Sequence, residues 1–259
     1  MISFLFNAIK IIFLLGFLIL IHEGGHFLVA KLCKVKVNEF AIGFGKVLLQ
    51  KQGKETKYSL RLIPLGGFCS MEGEEEESEA PDSFSKANVW KRMAIVVAGA
   101  AVNIVFGILV YFILVTTVGI QFVDPAKDTI INRIYYGAQG TGEFINAIFE
   151  SIKTLFSGGI KTDQMVGIVG ISEVVVKTNG IINYLNLLAV ISVSLGVTNL
   201  LPIPALDGGK ILILIIEIIR RKPMKIETEA KIQLIGFSVL IALSLFVTYN
   251  DILRIGSGS

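Results

Sequence analysis

His22-Glu23-Gly24-Gly25-His26 places two imidazoles four residues apart, with a carboxylate beside the first, inside a long apolar run. Residues i and i+4 lie on one face of a helix, so both rings can reach a single metal ion. Glu23 points to the neighbouring face, where it can act on a water molecule at that metal. The spacing is typical of zinc-dependent hydrolases. A pair of packed core histidines is the alternative, but ionisable groups inside membrane spans are costly and usually functional.

The composition around this motif indicates a membrane protein. Of 259 residues, 53% are hydrophobic and 17% are charged, and several apolar runs approach the roughly 20 residues that cross a bilayer. We predict four membrane-spanning helices, over residues 2–21, 93–120, 181–201 and 232–249. Residues 211–219 are apolar but too few to cross, and we expect them to form a half-buried helix near the interface. The predicted fold is therefore mostly α and polytopic, in a lipid bilayer.

The basic residues predict the orientation of the chain in that bilayer. They are concentrated in the loop after the first span and in a second loop that contains Arg220, Arg221, Lys222 and Lys225. By the positive-inside rule both loops are cytoplasmic, which places both termini outside and the histidines towards the cytoplasmic side. The net charge of +3 is too small to indicate a nucleic-acid partner.

A third metal ligand must come from elsewhere in the chain. A catalytic zinc ion usually has three protein ligands, and the chain contains only two histidines. Cys33 and Cys69 do not form a Cys-x-x-Cys pair, so zinc binding through sulfur is not expected. Asp207 is the best candidate. It lies in the stretch Asn199-Leu200-Leu201-Pro202-Ile203-Pro204-Ala205-Leu206-Asp207-Gly208-Gly209.

The prolines and glycines of this stretch interrupt helical hydrogen bonding at the end of the third predicted span. Such a break at membrane depth is tolerated where the backbone is covered by protein or lines a wet cavity. Taken alone, Asp207 could simply cap the next helix. Together with the histidine motif, a metal-binding role is favoured.

The two motifs together resemble the site-2 protease family of intramembrane zinc metalloproteases, and most of all its bacterial regulator-of-sigma-E branch. Three more segments are similar to elements of that family: Gly99-Ala100-Ala101-Val102-Asn103, Pro64-Leu65-Gly66-Gly67-Phe68 and Ile216-Glu217-Ile218-Ile219-Arg220-Arg221-Lys222-Pro223. Gly24 stands where the family commonly has a bulky residue. We interpret it as local loosening of the helix or as a close helix contact.

The resemblance implies a zinc-dependent endopeptidase in the bacterial inner membrane. It implies that His22, His26 and Asp207 bind Zn²⁺ and that Glu23 is the general base. The implied substrates are single-span membrane proteins, such as anti-sigma factors already trimmed outside, or remnant signal peptides. Further residues are implied to contact substrate or to orient the site: Asn103, Asn199, Pro202, Pro204, Gly66 and Gly67. For the two asparagines, an interhelical hydrogen bond is an equally good interpretation.

The first cytoplasmic loop is expected to form a small membrane-reentrant β-loop. Residues 37–42, 47–50 and 57–63 are short β-favouring runs, and Gln52-Gly53 is well placed for a hairpin turn. We expect this sheet to lie near the site and to pair through its edge with an unwound stretch of substrate. The acidic run at residues 74–77 is expected to be a solvated loop without a role in the site.

The domain organisation is predicted as residues 1–120, 121–180 and 181–259. In the branch named above, a PDZ-type domain normally lies between the second and third spans, but the middle segment is too short for one. We expect a naturally compact member or an engineered deletion, with Gly137-Ala138-Gln139-Gly140-Thr141-Gly142 as a linker. An apolar helical stripe over residues 144–156 is expected on the outer membrane surface or against neighbouring protein. The terminal Gly256-Ser257-Gly258-Ser259 resembles a tag remnant.

Two other functions stay open on the residues themselves. A different membrane zincin acting on prenylated or soluble peptides would take a glutamate as third ligand, so Asp207 argues against it. A zinc-stabilised membrane scaffold or transporter would not be an enzyme. The Glu23→Gln substitution separates this last alternative, because a scaffold keeps its function without the carboxylate.

Overall fold

The structure is a computed structural model that describes residues 2–74, 76–157 and 167–257. Four helices are long and apolar enough to cross a membrane, judged by length and composition: Leu5–Leu32, Val89–Gly119, Ile181–Asn199 and Ile226–Leu253. The predicted number and order of spans are confirmed.

The described residues form seven α-helices and two β-strands. In chain order they are α1 Ile2–Leu32, β1 Val37–Gln52, β2 Lys57–Met71, α2 Val89–Leu114, α3 Ile130–Phe156, α4 Ile168–Lys177, α5 Ile181–Asn199, α6 Asp207–Arg220 and α7 Ile226–Ser257. Helix α2 continues into a π-helical turn, Val115–Gly119, and a short 3₁₀ turn, Pro125–Lys127, precedes α3. The expected short helix over residues 211–219 is confirmed as part of α6.

Helix α1 is longer than the predicted first span. It continues past residue 21 to Leu32, so both histidines lie inside an unbroken helix. The helix ends at Leu32, and Lys34 just after it adopts a left-handed conformation with φ 62°. The N–H of Val35 donates to the carbonyl of Ala30 at 2.9 Å, a bond typical of a Schellman C-cap. The apolar run ends before the helical hydrogen bonding does, and the prediction that both histidines lie in the last part of this helix is confirmed.

The small sheet after α1 is confirmed and is more extensive than expected. Strands β1 and β2 pair antiparallel, and their hairpin closes at the predicted turn, where Gly53 N–H donates to Thr56 at 2.9 Å. Strand β2 runs beyond residue 63 through the Pro64-Leu65-Gly66-Gly67-Phe68 segment. Phe40 is paired with both Tyr58 and Cys69, so the two ends of β2 lie on opposite sides of β1.

The chain divides into two compact units. The first comprises Met1–Asn103 and Leu195–Ala242, and the second comprises Ile104–Ser194 and Leu243–Ser259. The first unit has a hydrophobic core in which helices α1, α2 and α6 meet the sheet. Its buried members are Ala30, Val35, Val37, Cys69, Met71, Phe84, Ile95, Val96 and Leu214.

One expectation about the second unit, that it contains a glycine-rich linker, was wrong. Gly137-Ala138-Gln139-Gly140-Thr141-Gly142 is not a linker but lies inside α3. Each glycine costs a helix about 1 kcal/mol relative to alanine, and the amphipathic pattern of α3 outweighs that cost. Gly137 also permits a close approach, because a Cβ there would lie 2.1 Å from the Thr116 hydroxyl.

The predicted apolar stripe over residues 144–156 lies on α3 and is helical as expected. Its position on a membrane surface remains a prediction. The last two residues of the expected tag remnant, Gly258 and Ser259, lie outside the described residues.

Candidate metal centre

The first unit brings together three side chains that the sequence places far apart. Nε2 of His22 lies 3.2 Å from Oδ2 of Asp207, and Nε2 of His26 lies 3.5 Å from the same oxygen. The two Nε2 atoms are 3.2 Å apart. Both histidines are buried, and the Asp207 side chain is 19% exposed. Three potential ligand atoms thus converge on one point.

The tautomer of His26 follows from its other ring nitrogen. Nδ1 of His26 lies 2.8 Å from the carbonyl oxygen of Ile95. A carbonyl can only accept, so Nδ1–H is the donor and the neutral ring carries its lone pair on Nε2. That lone pair faces the Asp207 carboxylate and the second imidazole. Such a backbone partner is typical of metal-binding histidines, because it fixes both ring orientation and tautomer.

The spacing and the donor set fit a zinc ion. Ligand atoms about 2.0–2.2 Å from a tetrahedral zinc ion lie roughly 3.4 Å from one another, which matches the three observed separations. Within the described chain, Oδ2 of Asp207 is buried and has no hydrogen-bond partner. Without a cation, the lone pair on Nε2 of His26 would face a buried carboxylate oxygen, which is unfavourable. Two nitrogens and one oxygen leave the fourth position of a catalytic zinc site open.

Close packing between α1 and α2 positions the histidines. A Cβ on Gly25 would lie 2.6 Å from the carbonyl oxygen of Ala98, and a Cβ on Gly99 would lie 2.3 Å from Nε2 of His26. The two helices can therefore cross at this point only because both positions are glycine. Apart from the backbone of its own helical turns, no described atom lies within 4 Å of a Cβ on Gly24, so the close contact belongs to Gly25.

The non-helical segment between α5 and α6 positions Asp207. Helix α5 ends at Asn199, and α6 begins at Asp207 itself. A Cβ on Gly208 would lie 2.1 Å from the carbonyl oxygen of Leu201, and a Cβ on Gly209 would lie 2.4 Å from that of Ile203. Both glycines are needed because the turn folds its own backbone tightly against the first turn of α6.

Glu23 lies beside the three convergent side chains. Glu23 and these three side chains line one cavity of about 750 Å³. Phe68, Cys69, Ser70 and Met71 of β2 also line it. The backbone of Cys69 lies beside the Glu23 carboxylate. Burial, together with the nearby Glu23 charge, raises the pKa of the Cys69 thiol to about 12. This cysteine is therefore a neutral thiol near pH 7.

The other residues singled out in the sequence have different surroundings. Asn199 lines the cavity, whereas Asn103 is fully buried in α2 and is not among the described lining residues. Pro202 is exposed, and Pro204 is half-buried.

The two glycines of β2 lie against aromatic and acidic side chains. A Cβ on Gly66, whose φ is 144°, would overlap the ring of Phe44 at 1.9 Å. A Cβ on Gly67 would lie 3.4 Å from Cγ of Glu23. Gly67 thus lets β2 pass close to the carboxylate.

Several contacts near the site could not be found in the sequence. Nζ of Lys210, one turn after Asp207, lies 2.5 Å from Glu74, and both side chains line the cavity. Glu74 begins the acidic run for which the sequence indicates no role. Arg92 at the start of α2 pairs with the buried Glu217 of α6. These pairs join residues more than a hundred positions apart, and a single sequence carries no signal for them.

Comparison with known proteins agrees with the geometry. The profile of peptidase family M50 matches residues 10–243. A protein of Clostridium acetobutylicum described as a zinc metalloprotease is 30% identical over 332 aligned positions, which cover 95% of this chain and 97% of the relative. The regulator of sigma-W protease of Bacillus subtilis is 24% identical over 419 positions, covering 97% of this chain and 99% of the relative. Both alignments are longer than the 259 residues here, so the relatives contain residues that this chain lacks, consistent with a missing PDZ domain.

Proposed function

We propose a function for this chain, which belongs to peptidase family M50 and is a zinc metalloprotease. It cleaves transmembrane segments of other membrane proteins near their cytoplasmic side. We assign the zinc ligands as His22, His26 and Asp207 and the general base as Glu23. The convergence of three ligand atoms within 4.8 Å of one another carries this proposal.

The proposed chemistry divides between the metal and this chain's own side chains. When bound, zinc polarises the scissile carbonyl and lowers the pKa of a water molecule. The Glu23 carboxylate accepts the proton that this water loses as its oxygen attacks the carbonyl carbon. Glu23 then donates that proton to the leaving amide nitrogen as the C–N bond breaks.

The proposed orientation follows from charge and from the site's position. The Lys- and Arg-rich loops after α1 and after α6 are cytoplasmic by the positive-inside rule, which places both termini outside. His22 and His26 lie in the second half of the first candidate span. We therefore place the site towards the cytoplasmic face of the bacterial inner membrane.

The proposed substrates are single-span membrane proteins, such as anti-sigma factors or remnant signal peptides. The relative from Bacillus subtilis is described as a regulator of sigma-W protease, which supports the first class. A substrate helix must unwind to expose a peptide bond, and the four cavity-lining residues of β2 offer a strand for its backbone to join.

Strand pairing makes a positional prediction that cross-linking can test. The N–H of Glu72 donates to Lys36 of the neighbouring segment, whereas the N–H of Met71 points the other way and donates to the Glu74 carboxylate at 3.4 Å, on the cavity side of β2. Ser70→Cys should therefore form disulfides with a cysteine-scanned substrate at alternate positions. A repeat of three or four positions would show that the substrate binds as a helix, and Lys54→Cys in the hairpin turn serves as the control.

Glu23→Gln tests the catalytic assignment. The amide cannot accept the proton, so we expect cleavage of a reconstituted single-span substrate to fall by about 10²–10⁴-fold. Bound zinc, measured by elemental analysis, should remain at the wild-type level, because Glu23 is not a ligand in the proposal. A chelator should abolish wild-type cleavage, and zinc should restore it. Undiminished cleavage by Glu23→Gln would refute the assignment.

A further inference from the structure

Helix α7 supplies a polar contact to the turn that carries Asp207. Oε1 of Gln233 accepts a hydrogen bond from the backbone N–H of Ala205 at 2.5 Å. Gln233 is half-buried, in a helix otherwise apolar enough to span a membrane. An amide in such surroundings is costly unless its polar atoms are bonded. The hydrogen bond to Ala205, two residues before Asp207, therefore explains why an amide is placed at this position of α7.

Ala205 has an unusual backbone that needs such support. Its φ is +74°, in the left-handed region that residues other than glycine rarely adopt. The conformation changes the course of the backbone two residues before α6 begins at Asp207. A bond to the Ala205 N–H therefore acts directly on the segment that orients Asp207.

A second contact from α7 holds the same turn. A Cβ on Gly236 would lie 2.3 Å from Cβ of Pro204 and 2.4 Å from its carbonyl oxygen. Gly236 is three residues after Gln233, so both face the turn from one side of α7. The helix backbone and the amide thus fix two adjacent residues of the turn, Pro204 and Ala205.

We propose that Gln233 is a positioning residue for the metal centre: through Ala205 it sets the direction of Asp207 towards the two histidines. This inference rests on the proposed role of Asp207 as a ligand. Gln233 itself touches none of the three convergent atoms in the described structure, and it contributes by removing the freedom of the turn before α6. Residues that orient metal ligands typically change metal affinity by 10–100-fold when they are replaced.

Zinc affinity of the purified full chain, measured by chelator competition, tests the proposal. Gln233→Met keeps the length of the side chain and removes the acceptor, and we expect it to weaken zinc binding about tenfold or more. Gln233→Glu restores an oxygen acceptor and should return the affinity to within about threefold of wild type. Gly236→Ala, which pushes a methyl group onto Pro204, should weaken zinc binding as well.

Two comparisons keep the outcomes distinct. Ser238→Ala removes a hydroxyl that donates within α7, to Leu234 at 2.9 Å, and it should leave zinc affinity unchanged. Asp207→Ala should no longer bind zinc at this site. If Asp207→Ala binds zinc like wild type, the proposed ligand set fails. If Asp207→Ala loses zinc while Gln233→Met binds it with wild-type affinity, the positioning role alone is overturned. Loss in Gln233→Met without rescue by Gln233→Glu would also overturn it.

Discussion

The two halves of the metal centre are built in different ways. His22 and His26 lie on one unbroken helix, α1, whose regular geometry places their rings side by side. Asp207 follows a non-helical segment in which Ala205 is left-handed, and the two glycines after Asp207 are packed against carbonyl oxygens of that segment. The histidine half gets its internal geometry from local hydrogen bonding, whereas the aspartate half depends on contacts from α7 and from the segment after β2.

This difference separates what a helix can specify from what only tertiary contacts can specify. A helix fixes the spacing of its own ligands but not its distance from a neighbouring helix. The aspartate half must be specified in conformation as well as in position. We therefore expect substitutions at the contact between α1 and α2 to disturb the positions of the histidines. We expect substitutions of distant side chains that contact the turn and α6 to disturb the position of Asp207.

The largest effect is expected at the crossing of α1 and α2. Gly25→Ala places a methyl group 2.6 Å from the Ala98 carbonyl oxygen, and such overpacking costs about 1–3 kcal/mol. The free energy of unfolding and the zinc content should both fall. Gly24→Ala is the matched control, since no described atom apart from the backbone of its own helical turns lies within 4 Å of its methyl position. It should gain up to about 1 kcal/mol from helix propensity. Equal effects from the two neighbours would contradict the close crossing.

An effect of similar size is expected at the ion pair beside Asp207. Lys210→Met leaves the Glu74 carboxylate, 15% exposed, without the ammonium group 2.5 Å away. We expect a loss of about 1–3 kcal/mol, because the charge that remains is largely buried. Thermal unfolding of detergent-solubilised protein measures it. The pair between Lys153 and Glu150 has side chains 74% and 69% exposed, so Lys153→Met should have little effect. If both substitutions left the unfolding midpoint unchanged, the segment after β2 would not be holding α6.

The smallest effect concerns acid and the sheet that lines the cavity. Burial alone would raise the pKa of Glu39, but hydrogen bonds from Lys57, Ser59 and Arg61 lower it to about 2, from 4.5. Because the folded pKa is depressed, the stabilisation is fully present above about pH 5 and is lost as the pH falls towards 2. Wild type should lose about 1 kcal/mol between about pH 6 and about pH 4 from this group. Glu39→Gln should lack that portion of the pH dependence. An identical pH profile in both proteins would exclude the carboxylate as its source.

The contrast between the halves also explains which features could be predicted from the sequence. The spacing of His22 and His26 is visible because helical periodicity is local, and the proline–glycine pattern before Asp207 marks a break for the same reason. That the two motifs meet is implied by a family resemblance and not by either motif alone. The roles of Gln233 and Glu74 depend on long-range packing, which one sequence does not encode in any local pattern.

The wrong expectation of a linker has a physical origin. The glycines between residues 137 and 142 favour a linker, because glycine weakens a helix by about 1 kcal/mol. The amphipathic face of α3 and the close approach of Gly137 to Thr116 reverse that preference. At Gly137, tertiary packing therefore overrides a local signal. In α1 the apolar run ends at residue 21, and local helical hydrogen bonding continues to Leu32.

Anomalous diffraction at the zinc absorption edge, from crystals of the zinc-loaded protein, tests the shared metal centre most directly. The predicted result is one peak about 2.0–2.2 Å from Nε2 of His22, Nε2 of His26 and a carboxylate oxygen of Asp207. A peak bound to the histidines but distant from Asp207, or one located elsewhere in the protein, would contradict the account.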